Sequence, residues 1–347
     1  MAEIALRAQP ETGRAATRVP TGVVVIVLAL LTVLLCLVSL AVGSQSLTLE
    51  ELVSAFVPGE RTVASIIVWQ LRMPRTVLAA MVGAALAVAG VVMQGLTRNP
   101  LAEPGILGVN AGASLSVVLS MSLLGLTDVG EFLWFAFAGA ALAAFLVHLI
   151  SVRSADAGPA RLVLAGVALG ASLRSITGTV TMYDSVTFDS YRFWVLGSLV
   201  DRDAELLVWV APFLVVGLVL ALASGLTLNA LALGEEQAKA LGVSPRRARA
   251  LALTSITLLC GASTAAVGPI SFVGLVVPHV LRLALGADQR KLLVVSVVAG
   301  PVLLLAADIL GRVILDSGEM EAGVVTAFIG GPVLLLMVIQ RMGVRGR

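Results

Sequence analysis

Residues 233–242 read LGEEQAKALG, a short charged segment in the widest polar gap between ten apolar stretches. Glu235, Glu236, Gln237, Ala238, Lys239, Ala240 and Leu241 are good helix formers, Gly234 and Gly242 bracket them, and Pro245 follows. The segment therefore predicts two turns of helix with a stop at each end. Between membrane-length runs it reads either as a stiff knob offered to a partner with a groove, or as a turn that merely closes a loop. The flanking runs settle the class. A bilayer-crossing helix needs ~20 predominantly apolar residues, and 347 residues hold ten such spans with short joints.

Composition agrees. Apolar residues make up 59% of the chain and charged residues 13%, with a mean hydropathy of +1.03. A soluble domain carries about 25% charged residues. No basic run of the kind that grips nucleic acid is present. Cys36 and Cys260 both lie inside apolar runs and read as small core residues, not as a disulfide or a metal site. The expected spans are 22–43, 74–95, 105–124, 132–151, 161–182, 205–225, 248–268, 269–285, 290–311 and 321–341. The first exceeds a signal h-region of about 7–15 residues, so it is read as an uncleaved span. The fold class is thus an all-α polytopic membrane protein. Residues 1–21 form a cytoplasmic N-terminal segment, and 22–347 form one transmembrane domain.

Charge gives the orientation. With the N-terminus inside, six of the 23 basic residues fall outside: Arg61, Arg72, Arg75, Arg192, Arg202 and Arg312. Arg174 lies within a span and the rest fall inside, as the positive-inside rule expects. Both termini are then cytoplasmic. Spans 2–5 and 7–10 form two sets of four separated by one span. The second set therefore enters the membrane from the opposite side, the arrangement of an inverted repeat.

Several motifs stand beside bland alternatives. Arg72 and Arg75, in LRMPR, break the inside bias and read either as snorkelling residues or as a positive patch for an acidic partner, with Arg312 a third such charge. QGLTRNPLAEPGILG (94–108) punctuates a junction with prolines and glycines, and irregular backbone at membrane depth must be buried in protein or line a wet cavity. Residues 268–279, GPISFVGLVVPH, predict a broken helix and a short eighth span. Asp308 and Arg312 are spaced to pair on one helix face. Arg174 has no local partner and reads as a pathway residue. No phosphate-binding loop is present, so this polypeptide is not expected to hydrolyse ATP. An ion-coupled secondary transporter is a rival reading. An intramembrane serine protease built on Ser114 and His279 is a remote one.

The motifs LRMPR (71–75), GVVMQGLTRNPLAEPGILGVNAGA (90–113), LAGVALG (164–170), LALGEEQAKALGV (231–243), GPISFVGLVVPHVLR (268–282), LLLAADILGR (303–312) and GVVTAFIGGPVLL (323–335) resemble the iron-siderophore and cobalamin (FecCD-type) permease family of ABC importers, in the same order over nearly the whole chain. The resemblance implies ten spans and a dimer of permeases, identical or paired with a sister chain. It implies a pair of cytoplasmic ATPase subunits that bind ATP and Mg, an extracytoplasmic substrate-binding protein, and residence in a bacterial cell membrane. No cofactor is implied in this chain, and no bond chemistry. Gly234, Glu235, Glu236, Ala238, Leu241 and Gly242 then match a coupling helix seated in the ATPase. Arg72, Arg75 and Arg312 match external arginines that hold acidic residues of the binding protein, here expected to be partly exposed. Asn99, Pro100 and Leu101 match a cytoplasmic gate, and span 5 lines the pathway. Gly158, Pro159 and Ala160 stand where the family often has polar residues. Arg174 is not a general family feature and points to an anionic cargo, such as a ferric siderophore.

Overall fold

In a computed structural model that describes residues 20–43, 47–57, 62–152, 159–315 and 318–345, the chain is helical throughout. The expected cytoplasmic segment up to position 19, Arg61 and Gly158 lie outside the described residues. The helices are α1 (Thr21–Ala41), α2 (Leu49–Ser54), α3 (Val63–Ile66), α4 (Met73–Thr97), α5 (Val109–Leu124), α6 (Val129–Val152), α7 (Pro159–Tyr183), α8 (Ser185–Val195), α9 (Ala204–Ala223), α10 (Gly225–Ala232), α11 (Glu235–Ala240), α12 (Pro245–Val267), α13 (Val273–Leu285), α14 (Gln289–Val313) and α15 (Ala322–Arg345). Ten of them, α1, α4–α7, α9 and α12–α15, fall on the ten expected spans. Among the described residues, eight helices are long and apolar enough to cross a bilayer, and α5 and α13 are two shorter apolar ones.

Helix α4 is the centre. Every residue from Val82 to Thr97 is buried. A helix with apolar and small residues on all sides cannot face water, and it packs best where neighbours surround it. Helix α13 crosses it at Gly90 and Gly274. A Cβ placed on Gly90 would sit 1.9 Å from the Gly274 carbonyl oxygen, so two backbones touch with nothing between them. Helix α14 crosses about two turns earlier, at Gly83 and Gly300.

This contact locates two breaks in the bundle. Helices α5 and α13 have 16 and 13 residues, or about 24 and 20 Å at 1.5 Å per residue, short of a hydrocarbon core of about 30 Å. Each follows an irregular segment that re-enters the bundle. Before α5, Arg98 takes a left-handed conformation and Pro104–Leu107 forms a 3-10 turn. Before α13, Phe272 is left-handed (φ 70°). The two segments meet. The Phe272 N–H donates to Glu103 Oε1 at 2.8 Å, and the Thr264 hydroxyl donates to Asn110 Oδ1 at 3.0 Å. Backbone freed from a helix is thus satisfied by protein groups. Both sets of four share one order: a long first helix, a break, a short second helix and two long ones.

The bundle has a basic end and an acidic end. At the basic end the Asn229 amide donates to Asp288 at 2.9 Å and accepts from the Gln289 N–H at 2.9 Å, tying α10 to α14. That bond holds the Asp288 carboxyl below its usual range. Two helices that no span reading anticipated, α2 and α8, lie at the acidic end. Their N-caps, Thr48 and Asp184, accept from Glu51 and Thr187. Helix α1 is mostly uncovered, with Ile26, Leu30, Val33 and Leu37 exposed as a lipid-facing stripe. It is fastened at mid-length by Thr32, whose hydroxyl lies 3.1 Å from the Val298 carbonyl.

Gly90→Ala should invert the usual sign of a helical glycine replacement. Alanine normally stabilises a helix interior by about 1 kcal/mol, but overpacking here should cost about 1–3 kcal/mol. Gly22→Ala, which meets nothing within 4 Å, should be neutral or stabilising. Thermal unfolding of both variants in detergent tests the contact, and an unharmed Gly90→Ala protein would contradict it.

Candidate functional site

At the basic end, α11 stands out as a separate short element. Gly234 (φ 123°) and Gly242 (φ 77°) hold backbone states that side-chain-bearing residues rarely adopt, which explains the bracketing glycines. Ala238 is buried on Ala230, Leu231 and Ala248, and Glu235 pairs with Arg249 of α12. One face is therefore anchored. Glu236, Gln237 and Lys239 are exposed on the other, flanked by Leu233 and Leu241, 65% and 63% exposed. Glu235, expected among the partner-facing residues, is turned to Arg249.

Helix α7 presents a second surface. Arg161, Ser172, Arg174, Ser175 and Thr179 are exposed along it, whereas Leu162, Gly166, Gly170 and Thr177 are buried. The hydroxyls of Ser172 and Thr179 donate to carbonyls one turn back, so the polar face is satisfied without a neighbour. Exposed polar side chains on a membrane-length helix are costly against lipid. The turn Pro104–Leu107 packs on α7 at Gly166, and the Arg174 guanidinium folds back over Gly170. The structure thus brings the 98–108 junction and Arg174 to the same helix. Asn99 itself is exposed; its side chain accepts from the Leu101 N–H at 3.1 Å, which shapes the turn that Pro100 continues.

At the acidic end the three arginines are not the partly exposed charges that were expected. Arg72 and Arg312 are 6% and 5% exposed. Arg72 donates to the carbonyls of Leu40 and Ala41, both at 2.8 Å, and Arg312 to those of Ser39 at 2.8 Å and Val42 at 3.1 Å. Both guanidiniums cap the last turn of α1, where orphan carbonyls and the negative end of the helix dipole favour a cation. Arg75 forks onto Asp308 (Nη2–Oδ1 2.8 Å, Nε–Oδ1 3.0 Å) and reaches Glu319 at 2.6 Å. The Asp308–Arg312 pair expected on one face forms as well. Desolvating three arginines is expensive unless their donors find acceptors; most do here, although the Nε of Arg312 is buried without one. All three nonetheless line a cavity of about 500 Å³.

Sequence reasoning missed Ser39, Glu319 and Arg202 at this end. Only the outward placement of Arg202 was visible, because each joins the cluster across long chain separations. Burial lowers the Arg202 pKa to about 10, with Asp201 and Asp128 acting the other way. Ser114, the nucleophile of the protease reading, interacts with the phenol of Tyr191.

Residues 30–340 match the FecCD transport family. Over 316 residues the chain is 44% identical to the ferric enterobactin transport system permease protein FepD of Escherichia coli K12, covering 90% of this chain and 94% of that one. It is 42% identical to the vitamin B12 import system permease protein BtuC of Vibrio cholerae, over 79% of this chain and 83% of the relative. Among solved structures, one described as an inward-facing conformation of a metal-chelate type ABC transporter superposes with a TM-score of 0.81 at 28% identity, covering 92% of this chain and 99% of that one.

Asp308→Asn removes the carboxylate that two buried arginines share. Breaking such a pair typically costs about 3–5 kcal/mol. The expected result is a clear drop in thermal midpoint of the solubilised protein; an unchanged midpoint would mean that the Asp308 cluster is dispensable for the fold.

Proposed function

This chain belongs to the FecCD transport family, and from that premise we propose that it moves an anionic ferric chelate, of the siderophore class, inward through a permease dimer driven by ATP hydrolysis in a partner. The coarser statement needs no proposal: the chain is a multi-pass membrane permease of the metal-chelate type of ABC importer. The relatives named above serve cargoes as different as ferric enterobactin and vitamin B12, so cargo has to be argued from this chain's own residues.

The observation that carries the coupling half is the knob at the basic end. Two leucines more than three-fifths exposed flank a helix whose other face is locked to α10 and α12. An element that is rigid within and apolar without transmits force when a groove holds it. In this reading, Gly234, Glu235, Glu236, Ala238, Leu241 and Gly242 form the ATPase-coupling element. Glu235 serves by fixing it to Arg249, and Leu241 by entering the partner. The basic end is then cytoplasmic, with both termini, in a bacterial cell membrane. Residues 22–347 act as one transmembrane domain.

The cargo half rests on Arg174. The polar face of α7 lacks a cover within the protomer, which suits a helix that faces a second permease across a wet pathway. A cation there favours a carboxylate- or catecholate-bearing chelate over a neutral one. Asn99, Pro100 and Leu101 gate its basic end. Arg72, Arg75 and Arg312 form the floor of the acidic-end cavity on which an extracytoplasmic binding protein docks. The secondary-transporter reading is not favoured, because Asp308, the carboxylate it would use, is already committed to two arginines.

Leu241→Glu should leave basal ATP hydrolysis of the reconstituted complex within about twofold while abolishing its stimulation by loaded binding protein; full stimulation would discard the lever. Arg174→Gln should lower uptake of an anionic ferric chelate several-fold, to about a fifth of wild type, if Arg174 contributes roughly 1 kcal/mol. Uptake equal to wild type would remove Arg174 from the pathway.

A further inference from the structure

Two cavities open at the acidic end, of about 500 and 470 Å³, and they share a wall made by Val200, Asp201, Arg202 and Glu319. The cations of the first cavity are not equivalent. Arg75 and Arg312 are tied to Asp308, and Arg72 and Arg312 to the end of α1. Arg202 differs. Among the described residues no carboxylate comes within ion-pair distance of it, whereas Arg312, whose Nε is likewise buried without a partner, keeps Asp308. Asp201 and Asp128 act on it only through space. A half-buried guanidinium on a cavity wall with an unused donor has capacity for an incoming acceptor.

The carboxylates are not equivalent either. On Arg75, Asp308 occupies Nε and Nη2, and its side chain is sealed from solvent. Glu319 occupies Nη1, and its side chain is 20% exposed on the cavity wall. Another carboxylate could replace Glu319 without stripping Arg75 of its buried partner. Exchange of Asp308 would leave two buried cations unpaired, which is far more costly. The geometry of Glu319 also shows that this edge of Arg75 accepts a carboxylate arriving from the cavity.

We infer that this cavity receives acidic side chains of the extracytoplasmic binding protein at two points, the open guanidinium of Arg202 and the Nη1 edge of Arg75, where Glu319 holds the place of the partner's carboxylate until docking displaces it. The inference rests on the docking reading above and deepens it by naming the vacant cation and the resident competitor. Glu319 is thereby a brake on docking: it lowers affinity and raises the selectivity of the cavity for a partner that supplies two acids at the right spacing. The Glu319 segment is held independently of its side chain, because the Met320 N–H donates to the Gly311 carbonyl at 2.9 Å and the Gly323 N–H to that of Gly197 at 2.9 Å. The side chain can therefore swing away without unfolding the start of α15.

The test measures the dissociation constant of the binding protein that stimulates this transporter, using the full permease–ATPase complex in phosphatidylcholine nanodiscs at low and high salt. Glu319→Gln should tighten docking about threefold while slightly lowering the thermal midpoint, since an ion pair is lost. A purely structural role moves both quantities the same way. Arg202→Gln should weaken docking about fivefold and flatten its salt dependence, and Arg202→Lys should retain most of it. Weaker or unchanged docking by Glu319→Gln, or full affinity in Arg202→Gln, overturns the inference. So does an effect that appears only when anionic phosphatidylglycerol is added, which would make a lipid headgroup the occupant. If docking fails in Arg72→Gln yet ignores positions 202 and 319, the docking reading stands and this inference alone falls. If the wild type docks no binding protein at all, both fall.

Discussion

Two backbones meet directly, with no room for a side chain, at Gly90 of α4 and Gly274 of α13. Most of the architecture follows from it. In lipid there is no hydrophobic gain from bringing helices together, so close van der Waals contact and internal hydrogen bonding must do that work. A side chain at either position would hold α13 away from α4. It would also separate the two broken segments that meet beside this crossing. Once apart, the Phe272 N–H would lose Glu103, and irregular backbone at membrane depth would be left without partners. The short helices α5 and α13 are possible because the breaks that precede them are sealed against each other.

The acidic end obeys a different rule. Three arginines gathered under a membrane surface repel one another, and burial strips them of water. The structure resolves this by giving each guanidinium oxygen acceptors that already needed a donor: the orphan carbonyls at the end of α1, Asp308, and Glu319. A helix that is otherwise mostly in lipid is thereby clipped to the core at one end. The same cluster forms the floor of a cavity. The cavity carries both signs, since Asp201, Asp203 and Glu319 line it beside Arg72, Arg75, Arg202 and Arg312, and most of the arginines are engaged. That divides the labour between cations that hold the fold and a cation, Arg202, with bonding capacity to spare.

The protomer leaves three surfaces uncovered, each of a different chemistry. Helix α1 shows lipid an apolar stripe. Helix α7 exposes serine, threonine and arginine, costly against lipid, together with Leu164, Val167 and Ile176. The knob at α11 shows two leucines beside charges, outside the bundle. The three surfaces differ in chemistry: one apolar, one mixed polar and apolar, and one with leucines beside charges.

The spans, the short eighth helix and the glycine-bracketed knob were legible in the sequence, because length, hydropathy and helix stops are local properties. The Asp308–Arg312 pair was legible for the same reason, being four residues apart on one helix. The amphipathic helix α8 and the caps on α2 were not, since neither stands out against long apolar runs. What the tertiary structure alone decided is which way the arginines point. Arg75 meets Asp308 across 233 residues and Glu319 across 244, and Arg312 meets Ser39 across 273. No spacing rule encodes such partners. An arginine near a membrane edge is equally at home snorkelling to water or capping a buried helix end. The choice rests on whether folding brings enough oxygen acceptors within reach to replace the water it gives up.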